Sequence, residues 1–356
     1  MPQIPIQVMP KGILNEGGTC HFISVLQALI SVEPFKAIFE NGLAGVHELG
    51  DCKEMDWQFS CTLCELHEFM KSYQKADSKC DPMRLVYAWW FNQDDMGRIQ
   101  FGYGDFWWNS LNSLLLQLHE EDKRSTNACG TDFGCVSHFP FNGIVRTTFK
   151  CPQCDQFPSS MMRPFNYLEL EHGRTVEEGL KNYSHMAMQS VDGSEFSHCS
   201  HKVLCYELIQ NYPRVLCLKV KDKENYEFVG DNIILDSIKY KDELDFGCIK
   251  YELKAVIIQT AWLEDGEEAG HIMALTKIKH NGQNQWFCCD DESVSIISKK
   301  KRKEESATGL FYVRADWEAT DENDKKQQER DYETEKHRSK EINRKCLKRK
   351  TPDFRK

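Results

Sequence analysis

The hydrophobic period of this chain changes near residue 139, and that change constrains its architecture more than any other feature. Upstream, apolar residues recur at helical spacing. Phe22, Val25, Leu26 and Leu29 mark one helix, and Phe59, Leu63, Leu66 and Met70 mark another within Trp57–Lys71. Asp105–His119 (DFWWNSLNSLLLQLH) reads as a third, with Asp105 placed to accept backbone N–H groups of its first turn. From Phe139 onward, short β-like runs take over: NGIVRTTFKC, RPFNYLELEH, PRVLCLKV, NIILDSIKY and YELKAVIIQTAW. Helices first and strands later predict an α+β fold, with helical and sheet subdomains side by side. No internal repeat and no linker-like stretch interrupts the first 314 of the 356 residues.

Composition narrows the function classes. No apolar run is long enough to span a bilayer, and the start, MPQIPIQVMPKG, lacks the charged-then-apolar layout of a secretion signal. The expected setting is therefore cytoplasmic, nuclear or both. Sixteen cysteines in such a chain argue for reduced thiols, metal ligands or catalysis rather than disulfides. Net charge is −10; residues 315–356 hold 13 Lys and Arg against 11 Asp and Glu, leaving 32 against 44 in residues 1–314. An acidic body suits a basic protein partner better than nucleic acid, and no membrane partner is expected. Residues 315–356 have few apolar side chains to bury and read as a solvated tail. KKKRK at Lys299–Lys303 reads either as a basic recognition patch or as an exposed loop before the closing strand GLFYVR, with the loop favoured.

One cysteine stands where a helix should begin. In GILNEGGTCHFISVLQAL, Cys20 follows two glycines and a threonine and opens the first apolar helix. Free N–H groups and the helix dipole in a first turn favour the thiolate, the reactive form of cysteine. Packing as a small buried side chain is the competing reading. A nucleophile needs a base within hydrogen-bond reach, and the base needs an orienting group. His271 ends the polar loop LEDGEEAGH and opens the apolar run IMALTKI; HNGQN then supplies a hairpin turn before QWFCCDD. A hairpin folded about residues 281–282 brings His271 within about two residues of direct pairing with Asp290, or roughly 5–8 Å between Cβ atoms. Asn15 offers a side-chain amide for a developing oxyanion, a device whose removal costs roughly 3 kcal/mol, or it serves as a turn residue.

These segments together resemble the ubiquitin-specific proteases, the papain-like cysteine deubiquitinases. GILNEGGTCHFISVLQAL is similar to their cysteine box, YELKAVIIQT…AGHIMAL…QWFCCDDESVSII to their histidine box, and ATGLFYVR to their closing strand. FGYGDFWWNSLNSLLLQL and NYPRVLCLKV occupy the family's intervening positions, so the match runs in order over about residues 11–314. The resemblance implies a thumb (about 11–138), fingers (about 139–205) and palm (about 206–314), after a leader at 1–10 and before the tail at 315–356. It implies Cys20 as nucleophile, His271 as general base, Asp290 as its orienting acid, Asn15 as oxyanion amide and Asp291 as an assisting neighbour. Asp105 would meet an arginine of the modifier tail, and Gly270 and Ile272 would border the channel for that tail. No cofactor is expected for catalysis.

Cys151 and Cys154 form a CPQC knuckle suited to zinc. Where the family places a second CxxC, this chain has HCSHKVLC, so the resemblance implies structural Zn2+ on Cys151, Cys154, Cys199 and His201, or a finger without metal. Cys61-x-x-Cys64-x-x-His67 interleaves with an apolar stripe and reads as helix packing; Cys129 and Cys135 carry no assigned role. Gly18, His21 and Ile272 replace the family's usual asparagine, aromatic and tyrosine, and Trp107–Trp108 displaces an acid. The implied activity is thiol-dependent hydrolysis after ubiquitin's terminal glycine, through an acyl-enzyme. The altered channel keeps two alternatives open: a weak or inactive ubiquitin-binding scaffold, and a protease for another ubiquitin-like modifier. An activating protein partner is also left open.

Overall fold

The helical spacings of the first part become helices packed on one another. They are α1 (Cys20–Ser31), α2 (Glu33–Glu40), α3 (Thr62–Lys75), α4 (Met83–Phe91) and α5 (Trp107–Glu121), followed by the short α6 (His138–Phe141). The structure, a computed structural model, describes residues 9–40, 61–77, 79–93, 105–122, 135–151, 159–171, 175–184, 189–191, 203–221, 227–229, 232–234, 238–264, 267–280 and 283–317. Phe22, Val25, Leu26 and Leu29 are wholly buried. Each such side chain contributes about 1.5–3 kcal/mol by leaving water. The expected helix at Trp57–Lys71 starts at Thr62; residues 57–60 lie outside the described set. Cys61 accepts the N–H of Cys64 on its sulfur, and both cysteines are buried, in keeping with the packing reading. The carboxylate of Glu121, at the end of α5, accepts the N–H groups of Thr62 and Leu63 at 3.1 and 2.7 Å. An anion thereby meets the positive end of α3 and locks the two helices together.

Among the described residues, the strand-like runs form two sheets and one small pair. β1 (Gly12–Ile13) and β2 (Lys79–Cys80) pair in parallel beside α3. β3 (Gly143–Lys150) and β4 (Ser159–Phe165) belong to a four-stranded sheet, whereas β5 (Leu168–Leu170) leaves it for a larger one, and α7 (Val176–Ser184) follows. β6 (Gln189–Val191) and β7 (Val203–Asn211) complete the small sheet in the order β4-β3-β7-β6. The large sheet contains β8 (Val215–Val220), β9 (Glu227–Val229), β10 (Asn232–Ile234), β11 (Glu243–Phe246), β12 (Ile249–Glu264) and β13 (Glu267–His280). Also in it are β14 (Gln283–Asp290), β15 (Ser293–Ile296) and β16 (Ala307–Arg314). Its main path runs β15-β14-β13-β12-β16-β8-β5. Val215–Val220 is buried on both faces, as the unbroken apolar run PRVLCLKV requires. Residues 1–315 make one compact unit; residues 316–356 form another, of which only 316 and 317 are described. Among the described residues, no single helix is long and apolar enough to cross a membrane.

The basic run is not a loop. Lys299–Glu304 forms α8, begun by Ser298, whose hydroxyl accepts the N–H of Lys301. Arg302 is wholly buried, stacked 4.0 Å from the Trp286 ring, and it donates to Asp242 at 2.5 Å. Burial disfavours the charge on Asp242, but Arg302 overrides it and holds the carboxyl below its ordinary range. A guanidinium can satisfy an aromatic face and a carboxylate at once, so one residue of the run turns inward and anchors the others. Charge counting over KKKRK alone offers no hint of this.

Candidate active site

The hairpin of β13 and β14 assembles the acid–base pair. His280 pairs with Gln283 and Ala274 with Cys289, the register expected for a turn at residues 281–282. Beyond Ala274 the ladder gives way, and Asp290 pairs instead with Ser293 of β15. His271, three residues further along β13, reaches Asp290 through Nε2 to Oδ1 at 2.6 Å. The Cys20 sulfur is the largest influence favouring the charged imidazole. The sulfur and Asp290 together outweigh partial burial and push the His271 pKa up to about 9.

Cys20 is the first residue of α1 and is 8% exposed. Thr19 precedes it at the helix boundary, but its hydroxyl does not cap the helix; it donates to Asn15 Oδ1 at 2.8 Å. Gly18 adopts φ +64°, a left-handed turn that an ordinary side chain resists and that brings the thiol to the helix end. Asn15 Oδ1 also accepts the N–H groups of Gly17 and Thr19, while its Nδ2 donates to Asp291 Oδ2 at 2.7 Å. Four bonds fix the amide plane, and a second N–H remains on Nδ2. Asp291 itself sits at φ +47°. Burial raises its pKa despite the Asn15 bond, and its Oδ1 is buried with no partner among the described residues. The backbone closes the same seam: Ile13 N–H donates to Asp291 O at 2.8 Å, and a Cβ on Gly12 would strike Glu292 O at 2.1 Å. Only glycine allows this approach.

The remaining channel candidates are distributed unevenly. Gly270 is exposed and pairs with Ala261. Ile272 is 4% exposed, because successive strand residues face opposite ways and His271 takes the open side. Asp105 precedes α5, but Phe106 holds the boundary position expected for it. The Asp105 carboxylate accepts the N–H of Phe106 at 2.6 Å and the Asn109 side-chain amide at 2.9 Å. His21 is buried and contacts Ser110 of α5 through Nδ1 at 2.6 Å, tying the nucleophile's helix to the one that follows Asp105.

Of the expected metal ligands, Cys151 is buried at the end of β3, and Cys154, Cys199 and His201 lie outside the described residues. A different group converges elsewhere. His119 at the end of α5, Cys135 and His138 bring their donor atoms within 4.8 Å of one another, with Cys135 Sγ 3.5 Å and 3.1 Å from the two Nδ1 atoms. Burial, then the neighbouring His119, lowers the His138 pKa and favours the neutral imidazole that metals bind. Cys135 carries no role in the sequence expectations, and the signal for this group is the Cys-x-x-His spacing in CVSH.

A helix-terminal thiol, an imidazole on a neighbouring strand and a carboxylate bonded to it are the kinds of group that thiol hydrolysis needs. The chain matches the family model described as ubiquitin carboxyl-terminal hydrolase over residues 11–312. It belongs to that family and is by class a cysteine deubiquitinating hydrolase. Ubiquitin carboxyl-terminal hydrolase 8 of Saccharomyces cerevisiae is 27% identical, the alignment covering 85% of this chain and 70% of the relative. A probable ubiquitin carboxyl-terminal hydrolase 8 of Schizosaccharomyces pombe is 23% identical over 85% of this chain and 64% of its own length, just under two thirds. Among solved structures, Ubp8 in the SAGA deubiquitinating module with Sgf11, Sus1 and Sgf73, bound to monoubiquitin, superposes with a TM-score of 0.64. Its identity is 21%, with 88% of this chain and 72% of that one covered. The same fold appears in the module bound to ubiquitin aldehyde, at a TM-score of 0.65 and 20% identity, covering 87% of this chain and 71% of that one.

A folded-state pKa raised to about 9 for His271 means that its contribution to stability is complete below about pH 6.5 and is lost as pH rises through 9. Asp290→Asn should therefore cost about 1 kcal/mol at pH 6, on the scale of a half-exposed ion pair, and less at pH 9.5. Urea unfolding at the two pH values checks this; a gap that fails to narrow contradicts the assignment.

Proposed function

We propose that Cys20 is the nucleophile that cleaves the peptide or isopeptide bond after ubiquitin's C-terminal glycine. The observation that carries this reading is the Cys20–His271–Asp290 constellation at the seam of a family-matching frame. The Cys20 sulfur, its proton held by His271, attacks the glycine carbonyl carbon. The oxyanion that forms is received by the free N–H of Asn15. As the C–N bond breaks, the leaving amine takes the proton from His271, and a thioester remains on Cys20. Water, deprotonated by His271, then attacks the thioester, and the C–S bond breaks to release the glycine carboxyl group and return the Cys20 sulfur with the proton again on His271. Asp290 fixes the imidazole orientation throughout, and Asp291 steadies Asn15 through their 2.7 Å bond.

The substrate class is ubiquitinated protein, and the solved relatives bound to ubiquitin and to partner subunits support a similar mode here. Reduced thiols suit a cytoplasmic or nuclear setting. Buried Ile272 and His21, in place of the family's tyrosine and aromatic, favour as second reading a scaffold with weak turnover or a preference for another ubiquitin-like modifier. Zn2+ is assigned to His119, Cys135 and His138, with a fourth ligand from water or from outside the described residues; nitrogen and thiolate donors suit its tetrahedral shell. Cys151, Cys154, Cys199 and His201 form a second, fingers-type zinc reading.

Wild-type protein should form a covalent adduct with a ubiquitin C-terminal propargylamide, seen as a mass increase of one ubiquitin. Cys20→Ala should form none and lose hydrolysis of a fluorogenic ubiquitin amide by at least about a thousandfold. Persistent cleavage by Cys20→Ala overturns the mechanism. Metal analysis should show that Cys135→Ser lowers the zinc content by one ion per chain; unchanged content removes the His119–Cys135–His138 assignment.

A further inference from the structure

Phe106 is 37% exposed, although it lies beside the densest aromatic packing of the helical part. Its ring stacks on Trp108 with centroids 4.3 Å apart and planes 16° from parallel. Lys219 Nζ stands 3.9 Å from the Trp108 ring centroid, and two groups this close cannot share one ring face. Lys219 therefore covers the face that Phe106 leaves, and its ammonium pairs with Glu169 at 2.9 Å. The layers are closed from below by a neutralised cation, and Phe106 is the exposed layer on the other side of Trp108.

Asp105 adds the second half of the arrangement. Its Oδ1 takes both bonds, from the Phe106 N–H and from Asn109, and Oδ2 has no partner among the described residues. A free carboxylate oxygen thus lies one residue from a free aromatic face. The site is also close to the nucleophile. Ser110, whose N–H donates to Phe106 O, bonds His21, the residue after Cys20.

We propose that Phe106 is a specificity-determining contact for a guanidinium in the C-terminal tail of the modifier, stacking the planar group while Asp105 Oδ2 accepts its N–H. The inference rests on the ubiquitin-hydrolase reading above and adds Phe106 to the contact expected of Asp105 alone. Arginine is the side chain that fits, because its flat fork can lie on a ring and still donate in plane to a carboxylate. A leucine would leave Asp105 unanswered, and a lysine would offer a point charge without a stacking face. Trp108 and Lys219 hold the Phe106 ring in place, so stacking costs the substrate little ordering of the site.

The test is steady-state hydrolysis of a fluorogenic ubiquitin amide by the full chain. Phe106→Ala should raise KM about five- to tenfold with kcat within twofold of wild type, and Phe106→Tyr should restore the wild-type KM. Replacing the tail arginines of ubiquitin with leucine should lower kcat/KM for wild type, with a clearly smaller additional loss on Phe106→Ala. Alkylation of Cys20 by iodoacetamide should proceed at the wild-type rate in Phe106→Ala, separating tail recognition from damage to the thiol. Unchanged KM in Phe106→Ala, or fully additive losses from the two changes, overturns the proposal. If wild type neither turns over nor labels with a ubiquitin electrophile, the hydrolase reading fails instead. Ubiquitin affinity of Cys20→Ala, with and without Phe106→Ala, then decides the Phe106 contact directly: a weaker Kd supports it, and an equal Kd excludes it.

Discussion

Everything at this site depends on α1 lying against β13. The helix carries the thiol on its first residue, the strand carries the imidazole, and buried side chains from Phe22 to Leu29 on one side and Ile272 and Ala274 on the other hold them together. A hydrophobic contact is non-directional, so it sets proximity but not aim. Aim comes from the polar stitching at the edge of the seam. Ile13 is bonded to the Asp291 carbonyl, Asn15 to the Asp291 carboxylate, and His271 to Asp290. Two successive aspartates at the end of β14 thus serve opposite sides of the cleft, one holding the base and the other the amide.

The electrostatics follow from that division. Asp290 is accessible enough to remain an acceptor for an imidazolium, whereas Asp291 is turned inward on a left-handed backbone, with burial opposing its charge. Strain and an unpartnered buried oxygen are costly, and they persist where the surrounding packing over-determines the geometry. The reach of Gly12 to Glu292 and the four bonds on Asn15 supply that determination. Two buried cations elsewhere in the fold are neutralised in place. Arg302 and Lys277 are each paired with a carboxylate, as burial of charge demands.

The sequence carried the helix-then-strand order, the β13–β14 register and the juxtaposition of His271 with Asp290, because each rests on local periodicity or on one short turn. It carried less where a residue's role depends on a distant partner. Arg302 looks like one cation among five until Trp286 and Asp242 are placed around it. Cys135 looks idle until the end of α5 brings His119 beside it. The amide of Asn15 invites an oxyanion reading from sequence, but the carboxylate that orients it lies 276 positions away. The expected boundary role of Asp105 passed to Phe106 by a shift of one residue, which backbone pattern alone could not decide.

His271 holds its proton because the sulfur of Cys20 and the carboxylate of Asp290 both favour the imidazolium. Titration of the His271 imidazole by NMR in the intact chain measures this directly. The midpoint should lie near 9 in the wild type and fall toward 6.5 in Cys20→Ala. A midpoint near 6.5 in the wild type, or one that Cys20→Ala leaves in place, would contradict it.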